Sequence, residues 1–209
     1  QNTSGTAQTV HYVYKDDNSL AYAVILTNKI ATTDESILYI SGTTSTKNAD
    51  GYLQTNVYDR DGNKKDAITV VSGDESVTGF VTYTVDKDGV YDLTAVTADT
   101  IGADNDWSKN TGVKYFDGVT VTESFYSDRA NLTESSKTLS DIPAADATVI
   151  DLRSSSAKEN GYDAELTSVA DIIAATKTFK EDNTNKWTVT ADVYLNDAGI
   201  ATIFVKTVA

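Results

Sequence analysis

Apolar and polar residues alternate with a period of two over much of this chain, most clearly between residues 79 and 96. Val81, Tyr83 and Val85 alternate with Thr82 and Thr84, so an extended segment here has one apolar face and one hydroxyl-bearing face. Tyr91, Leu93 and Ala95 repeat the pattern in the following segment. Asp86, Lys87, Asp88 and Gly89 stand between the two, and Gly89 supplies the positive φ that closes a tight hairpin. A second hairpin of the same format is predicted over 193–205. Placing Gly89 on Gly199 matches Val85 to Leu195, Asp86 to Asn196, Val90 to Ile200 and Leu93 to Ile203. The chain is organised around these two hairpins.

The rest of the first half reads the same way. Strands are predicted over 10–14, 21–26, 37–40, 52–58 and 67–71, separated by polar turns and loops at 15–18, 41–50 and 59–63. The acidic, glycine-containing segment 99–106 is the predicted boundary between the halves. Beyond it, strands over 113–116 and 119–122 flank an Asp117-Gly118 turn, and 127–140 reads as a polar connection. The only proline, Pro143, precedes a strand over 148–152. Leu166, Val169, Ile172 and Ile173 recur at three- and four-residue spacing, which predicts a helix near 166–176 capped by Thr167 or Ser168. Trp187, Val189, Ala191, Val193 and Leu195 share one face of the closing hairpin and form the second half's candidate core. The fold class that follows is all-β: two small β-sandwich or barrel-like modules, 1–103 and 104–209, with one short helix in the second.

Composition sharpens this picture. The polar residues are rich in Thr, with Tyr at 12 and Pro at 1, a bias suited to pleated, half-exposed surfaces. The net charge of −14, from 31 acidic and 17 basic residues, repels phosphate backbones and argues against nucleic acid and anionic membrane surfaces as partners. No apolar run approaches the roughly 18–20 residues of a membrane-spanning helix, so membrane insertion is not expected. With no Cys, thiol nucleophiles, disulfides and zinc–thiolate sites are excluded. Met is absent too and the chain begins at Gln1, the mark of a processed chain or an excised piece that has lost any signal peptide or anchor. An acidic, Thr-rich surface suits a protein outside the cell.

Candidate chemistry is sparse. Asp59-Arg60-Asp61-Gly62-Asn63 resembles the start of a calcium loop, with oxygen ligands at alternate positions ahead of a glycine. Yet Gly62 falls at the fourth position and not the sixth, and Val70 stands where the bidentate Glu belongs. Asp-Gly is also the commonest hairpin signal, so a turn is the expectation. The segments 86–89 and 196–199 are weaker metal candidates, because Lys87 and Ala198 interrupt the oxygen ligands. His11 is the only histidine; a Ser–His–Asp triad would require it, and no nucleophile-elbow motif accompanies it. The 31 acids leave a glycosidase pair open, but nothing selects two of them. Trp107, Trp187 and the tyrosines offer a sugar-binding platform, with Trp107 first; the alternative is that strand tyrosines pack half-buried with their hydroxyls at the edge. A strand-edge lysine such as Lys114 can in principle form an isopeptide crosslink to Asn, though no motif supports it. No catalytic, cofactor-binding or metal-binding residue is assigned, and no cofactor is expected.

Four segments recur in a familiar order: Ala21-Tyr22-Ala23-Val24-Ile25-Leu26, the hairpin over 79–96, Asp146-Ala147-Thr148-Val149-Ile150-Asp151-Leu152, and the hairpin over 193–205. This series resembles the β-rich regions of large S-layer-type surface proteins of Gram-positive bacteria, which often accompany S-layer homology anchoring repeats. The resemblance covers most of 20–209 and consists of pattern, not invariant chemistry; no anchoring repeat is visible. It implies an extracellular, cell-surface or cell-wall location, with other surface or wall components and further copies of the chain as partners. The expected function is thus a non-catalytic structural or adhesive segment of a bacterial cell-surface protein. The alternative is a carbohydrate-binding module of a secreted protein. A secreted hydrolase ranks third, and a concave pocket holding two carboxylates with perturbed pKa values would favour it.

Overall fold

The computed structural model describes residues 9–14, 20–26, 37–43, 46–102, 113–160, 162–177 and 188–208. Compactness divides the chain into two units, Gln1–Ser36 and Ile37–Ala209. In the first, β1 (Thr9–Tyr14) pairs antiparallel with β2 (Leu20–Leu26), setting His11 opposite Val24. These are two of the strands that alternation predicts.

The second unit holds two sheets. In the first of them run β3 (Ile37–Ile40), β4 (Thr46–Lys47), β5 (Tyr52–Gln54), β6 (Val57–Asp59), β7 (Ile68–Val70), β8 (Gly79–Val85) and β9 (Val90–Ala95), seven strands in the order β4-β5-β7-β9-β8-β3-β6. Only β7 and β9 pair in parallel. Leu38 and Ile40 of β3, Val57 of β6, Val70 of β7, Val81 of β8 and Leu93 of β9 meet in one core. Edge strand β6 and the distant β7 share that core, so the sheet curls around it. The single strand expected over 52–58 breaks into β5 and β6. Gln54 explains the break: its buried amide donates to the Gly42 carbonyl at 2.8 Å and accepts from the Asn56 amide at 3.0 Å, pinning a corner.

The other sheet contains β10 (Lys114–Glu123), β11 (Arg129–Glu134), β12 (Lys137–Pro143), β13 (Thr148–Asp151), β14 (Val189–Asn196) and β15 (Gly199–Val208) in the order β12-β11-β10-β14-β15-β13. Its inner face buries Phe116, Val121, Leu132, Leu139, Val193 and Ile203 against Ile172 and Ala175 of α2 (Val169–Lys177). Ser168 caps α2, accepting from the Asp171 amide at 3.2 Å, while the Asp171 carboxylate accepts from the Thr167 amide and the Ser168 hydroxyl. A second short helix, α1 (Ser155–Asn160), accompanies the one expected, started by the Ser154 hydroxyl.

Two expectations in this sheet need correction. The polar connection at 127–140 is largely the β11–β12 hairpin, whose Ala130, Leu132 and Leu139 turn inward between polar neighbours. Its tight turn carries Ser135 at φ 56°, so the usual Gly or Asn signal is missing. Pro143 ends β12 at the sheet edge, where a missing donor is tolerated. The strands predicted at 113–116 and 119–122 are one strand, and Asp117-Gly118 is a bulge within it, with Gly118 at φ 64°.

The outward faces of the two sheets pack on each other in a β-sandwich-like architecture. Ile37, Tyr39 and Phe80 meet Tyr194 and Phe204, and Tyr39 stacks on Phe204 with centroids 3.8 Å apart and planes 9° apart. Each large side chain so buried contributes about 1.5–3 kcal/mol. Along the chain, one sheet precedes residues 103–112 and the other follows them. The boundary expected at 103/104 lies outside the described residues, and the sheets on its two sides form one compact unit.

Candidate functional site

The most perturbed titratable groups gather where the sheets meet, around Asp192 of β14. Asp192 lies on the face opposite Ala191 and Val193, so alternation alone would leave it in solvent. Irregularities in both flanking strands aim partners at it instead. In β10 the register slips between Phe116 and Val119, and the Gly118 amide donates to Asp192 Oδ1 at 2.8 Å. In β15 the register slips so that Thr207 pairs with Thr190 and Val205 with Ala191, leaving Lys206 as the extra residue. Lys206 Nζ sits 2.8 Å from Asp192 Oδ1 and 2.7 Å from Asp117 Oδ1. From the other sheet, the Tyr39 hydroxyl donates to Asp192 Oδ2 at 2.8 Å. The Asp192 side chain is 1% exposed, against 40% for Lys206 and 66% for Asp117.

The electrostatics follow from this geometry. Burial, then the hydrogen-bonding neighbour Asp117, push the Asp192 carboxyl above its ordinary pKa. The same contact with Asp192, helped by Lys206, holds Asp117 below it. Burial works against the Lys206 ammonium, but its bonds to Asp117 and Asp192 prevail and raise its pKa. Burial first, and Asp192 second, push the Tyr39 phenol far up, so it remains a donor.

Two carboxyls displaced in opposite directions are the pattern of an acid–base pair. The surroundings do not fit that use. Both Asp192 oxygens already accept bonds from the protein. The cleft the two carboxyls share, walled by Thr78, Phe80, Tyr115 and the aspartates Asp117 and Asp192 themselves, holds about 120 Å³, well under the roughly 300–1,000 Å³ of ligand pockets. Glycosidase pairs stand about 5–9.5 Å apart to admit substrate or water, whereas these two close on one ammonium, Lys206 Nζ, at 2.7 and 2.8 Å. The arrangement clasps the sheets together.

A second buried cluster organises the segment before α2. The Arg153 guanidinium donates to both Asp151 oxygens, to the Ala164 carbonyl at 2.7 Å and to the Tyr162 carbonyl. Burial opposes ionisation of Asp151, but Arg153 and the Leu166 amide outweigh it and lower its pKa.

The residues singled out from sequence have other places. Asp59 Oδ1 accepts from the Asp61 amide at 3.1 Å and the Asn63 amide at 2.8 Å, so 59–63 is a turn with its leading carboxylate engaged. That turn docks on the other sheet, where the Thr202 hydroxyl donates to the Arg60 carbonyl. Asp86 Oδ1 likewise closes its own turn on the Asp88 and Val90 amides, and Asn196 Oδ1 accepts from the Ala198 amide. At Gly199 a Cβ would stand 2.3 Å from the Pro143 carbonyl, so only glycine fits. Among the described residues, Lys114 is paired with the Asp99 carboxylate at 3.3 Å, not with an Asn amide. Trp107 and Trp187 lie outside the described residues, as does the side chain of His11. Sequence reasoning passed over Tyr39, Asp117, Asp192 and Lys206; the available signal was an Asp-Gly pair inside one alternating run. Compared with protein-family models, curated proteins and solved structures, the chain matches none of them.

Proposed function

We propose that this chain is a non-catalytic structural or adhesive segment of a bacterial cell-surface protein of the S-layer type. The observation that supports it best is the clasp between the sheets, in which both oxygens of the buried carboxylate accept bonds from the protein and stacked aromatics pack beside it. A hydrogen bond to a charged group contributes about 1.5–3 kcal/mol, and here it ties one sheet to the other. Load applied to either sheet passes through this joint and through dense strand ladders. The chemistry the site could offer a substrate is instead spent on holding the fold.

Partners on this reading are other surface or wall components and further copies of the chain, met through loops and strand edges. The β12 edge is guarded against indiscriminate pairing by Pro143 and by Asp141 at φ 58°. The acidic exterior suits a location outside the cell.

Pulling the full chain by its ends in a force microscope tests the reading. Residues 37–209 should unfold in one event; separation of the two sheets at low force, before either unfolds, contradicts it. Assays with glycoside and peptide substrates should show no turnover. Turnover abolished by Asp192→Asn would replace the scaffold with a hydrolase.

A further inference from the structure

On the inner face of the seven-stranded sheet, opposite the face that carries Tyr39, opens a cavity of about 420 Å³. Leu38, Val57 and Ile68 form its floor, continuous with the core of that sheet. Tyr83 and Tyr91 wall it, their ring centroids 5.1 Å apart and planes 40° apart. Lys65, Asp66 and Thr69 also line it.

The strand register sets these tyrosines side by side at the cavity. Tyr83 and Tyr91 continue the faces of Val81 and Leu93 towards the turn. The described part of β3 pairs with β8 from Gly79 to Thr82, and beyond it Tyr83 is half-buried and Val85 exposed. Val85, next on the same face, is one of the few large apolar side chains left exposed among the described residues. Among the described residues, the Asp66 carboxylate and the Tyr83 and Tyr91 hydroxyls have no hydrogen-bond or ion-pair partner. Burial, with Tyr91 second, pushes the Tyr83 phenol up, so it stays protonated and able to donate.

An apolar floor and aromatic walls under a rim whose exposed area is mostly polar suit a small molecule with a polar edge, and 420 Å³ lies within the range of about 300–1,000 Å³. The lining carries one cation, Lys65, and one anion, Asp66, so it favours a neutral ligand over an ion. The ligand needs an apolar face to lie on a tyrosine ring and hydroxyls around its edge to meet Asp66, Thr69 and the phenols. Hexopyranoses have this form, with axial C–H bonds on one face and a hydroxylated rim. We propose that the mouth of the seven-stranded sheet binds a neutral pyranose residue, stacked on Tyr91 and hydrogen-bonded at its rim to Asp66. The proposal goes beyond the scaffold reading and does not depend on it, because the clasp lies on the opposite face of the same sheet.

The test is a nuclear magnetic resonance titration of the isotope-labelled full chain with the methyl glycosides of glucose, galactose, mannose and N-acetylglucosamine, each in turn. At least one should give saturable shifts at Tyr83, Tyr91 and Thr69 with a millimolar dissociation constant. Tyr91→Ala should weaken binding about tenfold, the loss of one stacking face. Tyr91→Phe should keep most of it, and Asp66→Asn, at an exposed position, should weaken it several-fold without unfolding the chain. If Tyr91→Ala does not fold, the other two variants carry the test. Absence of shifts with all four glycosides, or shifts that Asp66→Asn leaves unchanged, overturns the proposal. So does saturation by phenol where no glycoside binds, which would assign the cavity to an apolar ligand.

Discussion

The β8–β9 and β14–β15 hairpins share one turn format when Gly89 is laid on Gly199, yet they differ in burial. Leu195 is fully buried, while its counterpart Val85 is 46% exposed. Asp192 lies buried in the joint; its counterpart Thr82 is only half-buried. The difference lies in the neighbours. Strands β14 and β15 run in the middle of their sheet between β10 and β13, with α2 and the inner core on one face and the other sheet on the opposite face. In the other hairpin the end of β8, at Thr84 and Val85, is exposed. Alternation decides which residues share a face, and the adjoining elements decide whether that face is closed. A closed face turns a polar residue into an anchor, and an open one leaves aromatic residues available to a ligand.

Substitutions at paired positions can break this comparison. The largest effect is expected for Phe204→Ala in the closed hairpin, a loss of about 3–5 kcal/mol in urea unfolding. Its counterpart Thr94→Ala, at an exposed position, should stay within about 0.5 kcal/mol. Similar losses at both would refute the contrast. Next comes Tyr39→Phe, which strips Asp192 Oδ2 of its buried donor and should cost about 1–3 kcal/mol. Tyr83→Phe, at the open mouth, should fall within about 0.5 kcal/mol.

A smaller effect separates the two buried carboxylates by the sign of their pH dependence. The Asp192 pKa is raised in the fold, so its contribution is present below the ordinary value of 3.8 and is lost as pH rises through the folded value. The Asp151 pKa is lowered, so its contribution is present above 3.8 and is lost as pH falls towards the folded value. Measured against Asp192→Asn, the wild-type advantage should therefore shrink with rising pH; against Asp151→Asn it should grow. Parallel trends would show that one of the two environments is wrongly assigned. The smallest effect concerns calcium. The Asp59 carboxylate is engaged by its own turn, so calcium should leave the melting temperature essentially unchanged. A large saturable rise, lost in Asp61→Ala, would make the turn a metal site.

The two hairpins and α2 were legible in the sequence because local alternation, turn glycines and a capping serine all agreed. The β11–β12 hairpin was not, since its turn uses Ser135 at positive φ and its inward residues are few among polar ones. The clasp was hidden for a different reason. Asp192 occupies an outward-facing position in its strand, and only a second sheet, invisible to a local pattern, turns that position into the interior. The Tyr83–Tyr91 pair was visible as an apolar face, but a local pattern does not say that the two rings line one cavity.

Whether the sheets are locked into one unit is tested most directly by native-state hydrogen exchange at increasing denaturant. The amides of β8 and of β14 should converge on one common opening free energy, lowered equally in both by Tyr39→Phe. Exchange of β8 through a separate, lower-energy opening while β14 stays protected would contradict the lock and leave two independent modules in its place.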